Sequence, residues 1–324
     1  MSTSTHDGAQ PVAHPPTMPI VDMRNRPRFL HPFFGAESSG PNFEVVKWVN
    51  ARVGSRDLEH FTKAKDPKTY VAEIAAASIA KAFVVGRDTP NNRIVNDDVA
   101  KLVATAPDRL VGIGAVDPQR LGITAALDEL ERLAGELKLA GVNVDPGFLP
   151  KPLHADDALF FPIYQACVEL GLPVFIMSGP TSPDLDYNHP SAVGRVASVF
   201  PKLEIVCCHG FYPFVDEMIG IAFKHPNVYV SPDMYLFAPG AKLYVEAANG
   251  FMRDQLLFGT SFPFRPMRQS IDDAAGLGLD PDAYERVMWR NADALFRLGL
   301  NSAPALPASR TTPAPRTGGR TKKT

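Results

Sequence analysis

Short apolar runs rich in β-branched residues recur along the chain, each followed by a longer amphipathic stretch. Eight of them read as strands, at residues 19–24, 82–86, 110–116, 141–145, 172–178, 203–209, 227–233 and 255–261. Between them the apolar spacing predicts helices over 69–81, 97–106, 119–138, 155–170, 190–200, 212–224, 240–253 and 281–298, with a shorter one near 266–277. Strands this uniformly apolar belong in parallel sheets covered on both faces, and helices alternating with them supply the cover. Eight such units in one domain-sized stretch predict a closed (β/α)8 TIM barrel rather than an open doubly wound sheet. No Gly-x-Gly-x-x-Gly opens a helix after the first strand and no Walker-type lysine loop occurs, so nucleotide-binding α/β folds lose ground.

One interval breaks the rhythm. Residues 27–68 separate the first strand from the first clear helix and carry His31, Pro32, Phe33, Phe34, Trp48 and Arg52. In a barrel this segment leaves the C-terminal face, where active sites are built, and is expected to form a lid or a partner-binding flap. At the ends, residues 1–17 and 301–324 are rich in Ser, Thr, Pro, Ala and Gly without apolar periodicity; both read as disordered, leaving the barrel over 18–300.

Composition narrows the partners. A formal net charge of -2 gives no concentrated basic field, so neither nucleic acid nor an anionic membrane is an expected partner of the folded part. The basic tail, RTGGRTKKT, reads as a solvated terminus. No apolar run approaches the roughly 18 to 20 residues that span a bilayer, and the start lacks a basic-then-apolar signal pattern, so a cytoplasmic location is the default expectation. Cys167, Cys207 and Cys208 cannot all pair within the chain, which fits a reducing compartment. Successive strand residues point to opposite faces, so Cys207 and Cys208 read as packing rather than as two ligands of one metal.

Candidate chemistry lies at strand ends. Asp22, Arg24 and Arg26 alternate along the first run, so a period of two puts both guanidinium groups on the face that Asp22 occupies. A guanidinium stays protonated and cannot ligate a cation. Arg24 and Arg26 are expected either to pair with Asp22, Asp145 or Asp233 as a buried charge network, or to clamp a carboxylate or phosphate of a small ligand. Met177 and Phe175 read as barrel filling. Ser261 has no base beside it in sequence, which argues against a nucleophile.

The chain resembles the amidohydrolase-related branch of the amidohydrolase superfamily over roughly residues 18–300. The resemblance is carried by Val21-Asp22, PDRLVGIGAVDP at 107–118, GVNVDPGF at 141–148, LPVFIMSG at 172–179, FPKLEIVCCHG at 200–210 and LLFGTSFPF at 256–264, in that order and spacing. It implies a metal site built from a His-x-His pair on the first strand, a carboxylate or lysine on the fourth, histidines on the fifth and sixth, and an aspartate ending the eighth. Carried over, these positions are Arg24 and Arg26, Asn143 or Asp145, Met177, His209 and Ser261. Only His209 keeps its ligand type, with Asp22 or Asp145 as a second remnant, too few for a catalytic zinc that keeps three protein ligands.

The resemblance therefore implies a divergent member that binds no cofactor of its own. The leading expectation is a non-catalytic or accessory subunit of a heteromeric amidohydrolase-type enzyme, paired with a paralogue that carries the divalent Fe, Mn or Zn. That paralogue could be a hydrolase, or a hydroxylase of a small amino acid such as 2-aminoisobutyrate. A second expectation is a metal-independent, lactonase-like hydrolase in which Arg24, Arg26, Asn143, Asp233 and Ser261 hold a carboxylated substrate and Asp22, Asp145 or His209 moves protons. A third is a small-anion binding module. His31, His154 and His189 stay open as ligands of a displaced metal.

Overall fold

The computed structural model describes residues 18–300, so the two expected disordered ends, 1–17 and 301–324, lie outside the described residues. Seven strands form one parallel sheet in sequence order: β1 (Val21–Asn25), β2 (Lys81–Val85), β3 (Leu110–Ala115), β4 (Val142–Val144), β5 (Val174–Ile176), β6 (Ile205–Cys208) and β7 (Val228–Ser231). Each falls within or next to a run read from sequence, because burial on both faces demands an unbroken apolar run. Helices α1 (Pro41–Arg52), α2 (Pro67–Ala76), α3 (Asn96–Ala104), α4 (Pro118–Leu121), α5 (Ile123–Gly135), α6 (Phe161–Leu170) and α7 (Pro190–Val199) come before β6. After it come α8 (Val215–Lys224), α9 (Lys242–Ala248), α10 (Met267–Ala275), α11 (Pro281–Glu285) and α12 (Asn291–Phe296), the last two joined by a π-helical turn, Arg286–Arg290. The result is a TIM barrel.

The eighth strand departs from expectation. The run read at 255–261, with Phe262 just beyond it, closes the barrel through isolated parallel bridges, Leu256 to Val230 and Phe262 to Asn25. Main-chain bonds from Leu257 N to Val230 O (2.8 Å) and from Met23 N to Phe258 O (3.0 Å) complete the seam. A regular ladder fails for local reasons. Thr260 donates its N–H to the Asp22 carboxylate (2.8 Å) instead of to a neighbouring strand, Ser261 adopts φ 56°, and Pro263 has no N–H to give. The register of β1 against β2 slips between Asp22 and Asn25 at the same place.

The 27–68 interval is not a bare loop. It contains α1 and three short 3-10 turns, and Val49 and Val53 of α1 pack with Met234 and Tyr235 in a satellite cluster above the barrel. The spacing of α1 hides it in sequence because Val45 and Trp48, 39% and 53% exposed, face an opening rather than the core. Expected helix 119–138 breaks at Gly122, whose φ of 76° ends one helix and starts the next. No described helix is long and apolar enough to cross a membrane.

Candidate functional site

A cavity of about 470 Å³ opens at the C-terminal ends of the strands, under α1. Its floor carries Arg24, Arg26, Arg87, Met177, His209 and Ser261. One wall is apolar, formed by Phe33, Val45, Trp48, Val49 and Phe264, and the facing rim is polar, formed by Thr89, Asn91 and Asn92. The site residues read from sequence therefore divide. Arg24, Arg26, His209 and Ser261 meet in one cavity, Asn143, Asp145 and Asp233 support it from behind, and Asp22 is buried below.

Asp22 corrects the expected arginine network. Its carboxylate accepts from Thr260 N (2.8 Å), Thr260 Oγ1 (2.6 Å) and Arg24 N (3.2 Å), and meets no guanidinium. Burial pushes its pKa up to about 6, with the Thr260 bonds working against that rise. Of the three expected acceptors only Asp233 faces an arginine of the pair, Arg24 Nε lying 3.7 Å from its Oδ2. Arg24 also contacts Met177 Sδ at 2.8 Å, and its Nη1 is buried with no hydrogen-bond partner.

Arg26 has no carboxylate at all. Its Nε and Nη2 donate to the main-chain oxygens of Val85 (2.9 Å) and Gly86 (3.1 Å), and its guanidinium lies 5.8 Å from the Phe34 ring centroid. Burial, then Arg24 and Arg87, press its pKa well below the usual arginine range, with Asp145 opposing. Asp145, expected beside Arg24 or Arg26, is instead taken by Arg87, with Nε 3.2 Å from Oδ1, while Asn143 Nδ2 donates to its Oδ2 at 2.7 Å.

Arg87 is the functional residue that sequence reasoning missed. It stands directly after Gly86, where the apolar run of β2 stops, and so ends a strand on the same face of the barrel as Arg24. That position, an arginine two residues beyond a strand, was the available signal. The guanidinium stacks 4.6 Å from the Phe148 ring centroid.

His209 follows β6 with φ 59°, a left-handed conformation uncommon for a residue with a β-carbon. Its Nδ1 lies 3.2 Å from Asp233 Oδ2, and its ring meets Tyr235 edge-on at 5.3 Å. Burial, then Arg24, lower its pKa to about 4, so the imidazole is neutral at pH 7. Burial alone would raise Asp233; the His209 contact, Arg24 and Ser231 outweigh it and hold the carboxylate below its ordinary range. Cys207 and Cys208 are buried thiols, and burial pushes Cys208 up to about 12.

The family site implied by the resemblance would hold divalent metal, and the residues here do not fit it. The Asp233 carboxylate is engaged by Arg24, and two guanidinium groups stand at ligand positions, where they repel a cation. Among the described residues no group of three or more His, Cys, Asp and Glu is arranged to hold a metal. The three displaced candidates lie apart. His31 Nδ1 accepts from Phe33 N (3.2 Å), His154 Nε2 lies 3.6 Å from Asp186 Oδ2, and His189 Nδ1 lies 3.0 Å from Ser191 Oγ.

Comparison with known proteins agrees with the fold. Residues 55–298 match the model of the amidohydrolase family. An uncharacterised TIM-barrel protein of Bordetella bronchiseptica is 30% identical, with a TM-score of 0.79 over 87% of this chain and 99% of that one. A dihydroxybenzoic acid decarboxylase of Polaromonas, solved with bound manganese and 2-nitroresorcinol, shares the fold at 16% identity and a TM-score of 0.61, over 87% of this chain and 98% of that one. A 2-amino-3-carboxymuconate-6-semialdehyde decarboxylase of Dictyostelium discoideum is 35% identical over 82 residues, 25% of this chain and 22% of that protein's length.

Proposed function

Since this chain belongs to the amidohydrolase family and is a divergent member lacking most of its metal ligands, we propose that its barrel mouth binds a small organic carboxylate. The observation that carries the reading is Arg26, a buried guanidinium with two main-chain acceptors and no counter-ion. Around it, Arg24 is matched by Asp233 and Arg87 by Asp145, which leaves one uncompensated positive charge in the cavity floor. A buried charge without a partner is costly, and a ligand carboxylate supplies the partner with charge-assisted hydrogen bonds.

The walls set the rest of the ligand. Trp48, Phe33 and Phe264 offer a flat apolar surface, and a cavity of about 470 Å³ suits a molecule of one ring or a short chain. The decarboxylases similar to this chain carry names of carboxylated substrates, which supports the same class. Titration calorimetry with benzoate, and with neutral benzamide as control, tests the reading. Binding of benzoate alone is expected; equal binding of benzamide, or heat from neither, sinks it.

A second reading keeps the accessory role beside a metal-bearing paralogue. It is favoured by an exposed aromatic pair, Phe223 (72% exposed) and Phe251 (48%), stacked edge-to-face at 5.0 Å on the outer surface. Native mass measurement after co-expression with such a paralogue separates the readings. A stable hetero-oligomer lost on Phe223→Ser supports the accessory role, and a monomer indifferent to the paralogue ends it.

A further inference from the structure

The polar rim of the cavity is a built loop. It leaves β2 at Gly86 and closes on itself through an antiparallel bridge between Arg87 and Ile94, with Ile94 N donating to Arg87 O (2.8 Å). At its tip Asn92 N donates to Thr89 O (3.4 Å), a turn for which Pro90 in the second position is preset. Below the tip, Asp88 accepts from Arg120 Nε (3.0 Å), Arg120 Nη2 (2.6 Å) and Asp117 N (3.2 Å), which pins the loop to the start of α4.

Within this loop one donor is left over. Thr89 Oγ1 donates to Asn92 Oδ1, so the amide oxygen is engaged and Nδ2 is turned the other way. Among the described residues no acceptor takes the Nδ2 hydrogens. Asn92 is 4% exposed yet lines the cavity, whereas its neighbour Asn91 is exposed. A donor shielded from bulk water needs an acceptor within the cavity. Arg26 shares this strand end: its Nε and Nη2 are taken by Val85 O and Gly86 O, the two residues from which the loop departs. That leaves its Nη1 edge for a ligand carboxylate, and the Asn92 amide for a second oxygen of the same ligand. Charge decides what that oxygen is. Arg24 faces Asp233 and Arg87 faces Asp145, so one carboxylate on Arg26 balances the floor, and a second would be a buried anion with no free cation beside it.

We propose that Asn92 is a specificity-determining residue whose Nδ2 donates to an uncharged acceptor oxygen, such as a ketone or ester carbonyl, on a ligand whose single carboxylate lies on Arg26. The class selected is a keto- or ester-substituted monocarboxylate, and dicarboxylates are disfavoured. Thr89 is a positioning residue, because its hydroxyl holds the amide with the nitrogen towards the ligand. The inference rests on the carboxylate-binding reading of the mouth and adds the ligand's second group to it.

Titration calorimetry of the full chain with benzoate and with the positional isomers of acetylbenzoate, aminobenzoate and benzenedicarboxylate tests it. Expected is an acetylbenzoate that binds about tenfold tighter than benzoate, the worth of one hydrogen bond to a shielded donor, and tighter than the dicarboxylate of the same substitution. In Asn92→Leu, a near-isosteric change, the affinity ratio of that acetylbenzoate to benzoate is expected to fall to about one. No gain from any acetyl isomer overturns the proposal, as does a tighter dicarboxylate or a ratio kept in Asn92→Leu. A gain from an aminobenzoate instead overturns it too, because the amide then presents its oxygen to the ligand. The ligand series on the unmodified protein keeps the test decisive should Asn92→Leu fail to fold. Heat from none of the ligands, benzoate included, overturns the carboxylate reading and this inference together; benzoate binding without an acetyl gain overturns this inference alone.

Discussion

Arg26 is the residue at which stability and function pull apart. Its charge is buried and faces two other guanidinium groups in the cavity floor, so a neutral side chain of similar volume removes repulsion at the cost of two hydrogen bonds to main-chain oxygens. In Arg26→Met, benzoate affinity is expected to fall by about tenfold or more, the worth of a charge-assisted hydrogen bond, while the melting temperature holds or rises. Destabilisation by more than about 2 kcal/mol with unchanged affinity would assign Arg26 a structural role instead. Asp22 gives a pH test. Its pKa is raised from 3.8 to about 6 in the fold, so its contribution to stability is present in full below pH 3.8 and is lost as pH rises through 6. Asp22→Asn mimics the protonated form and should therefore gain on the unmodified protein between pH 4 and pH 7, by on the order of 3 kcal/mol. A constant difference across that range in denaturant melts would contradict the raised pKa. At this scale the sequence was partly legible. Alternation along β1 found Arg24 and Arg26, and strand-end position found His209, but pairing was not readable. Asp145 went to Arg87 and Asp22 to Thr260, because partners across a barrel are set by tertiary register and not by local spacing.

At the scale of elements, two segments carry the account: the irregular closing segment and α1. Thr260 gives both its N–H and its hydroxyl to Asp22 in place of ladder bonds, so Thr260→Val should destabilise by about 1.5–3 kcal/mol above pH 7, and by less near pH 4 where Asp22 is protonated. An equal loss at both pH values would mean the hydroxyl acts through packing alone. Helix α1 roofs the cavity and is fastened at its C-terminal end. Arg265 Nη1 donates to Val53 O, Gln269 Nε2 to Gly54 O (2.8 Å) and Ser55 Oγ to Phe264 O (3.1 Å). Arg265→Met is expected to speed amide hydrogen exchange across 41–55 while leaving β3 to β6 protected; uniform loss across the barrel would show that α1 is not a separate unit. The seven regular strands were legible because each is an apolar run buried on both faces. The eighth read as a strand for the same reason, and its polar end, Thr260 to Pro263, is what breaks the ladder. Helix α1 stayed hidden because its apolar residues divide, Phe43 and Val46 joining the core while Val45 and Trp48 face the cavity, so no single helical stripe marks it.

For the whole molecule, the barrel is that of a metal-dependent family while the charge at its mouth is inverted. Where the implied site gathers donors for a cation, this chain gathers Arg24, Arg26 and Arg87 around a neutral His209, although its formal net charge is only -2. Inverting the charge of a site while keeping its housing changes what the housing attracts. The central claim is that this mouth takes an anion in the place where the family template takes a metal. An anomalous difference map from one crystal grown with both manganese chloride and 4-bromobenzoate tests it in a single measurement. The account predicts a bromine peak against Trp48 and Phe33, with the carboxylate on Arg26 and no manganese peak in the cavity floor. A manganese peak between His209 and Asp233, with the cavity otherwise free of bromine, would contradict it.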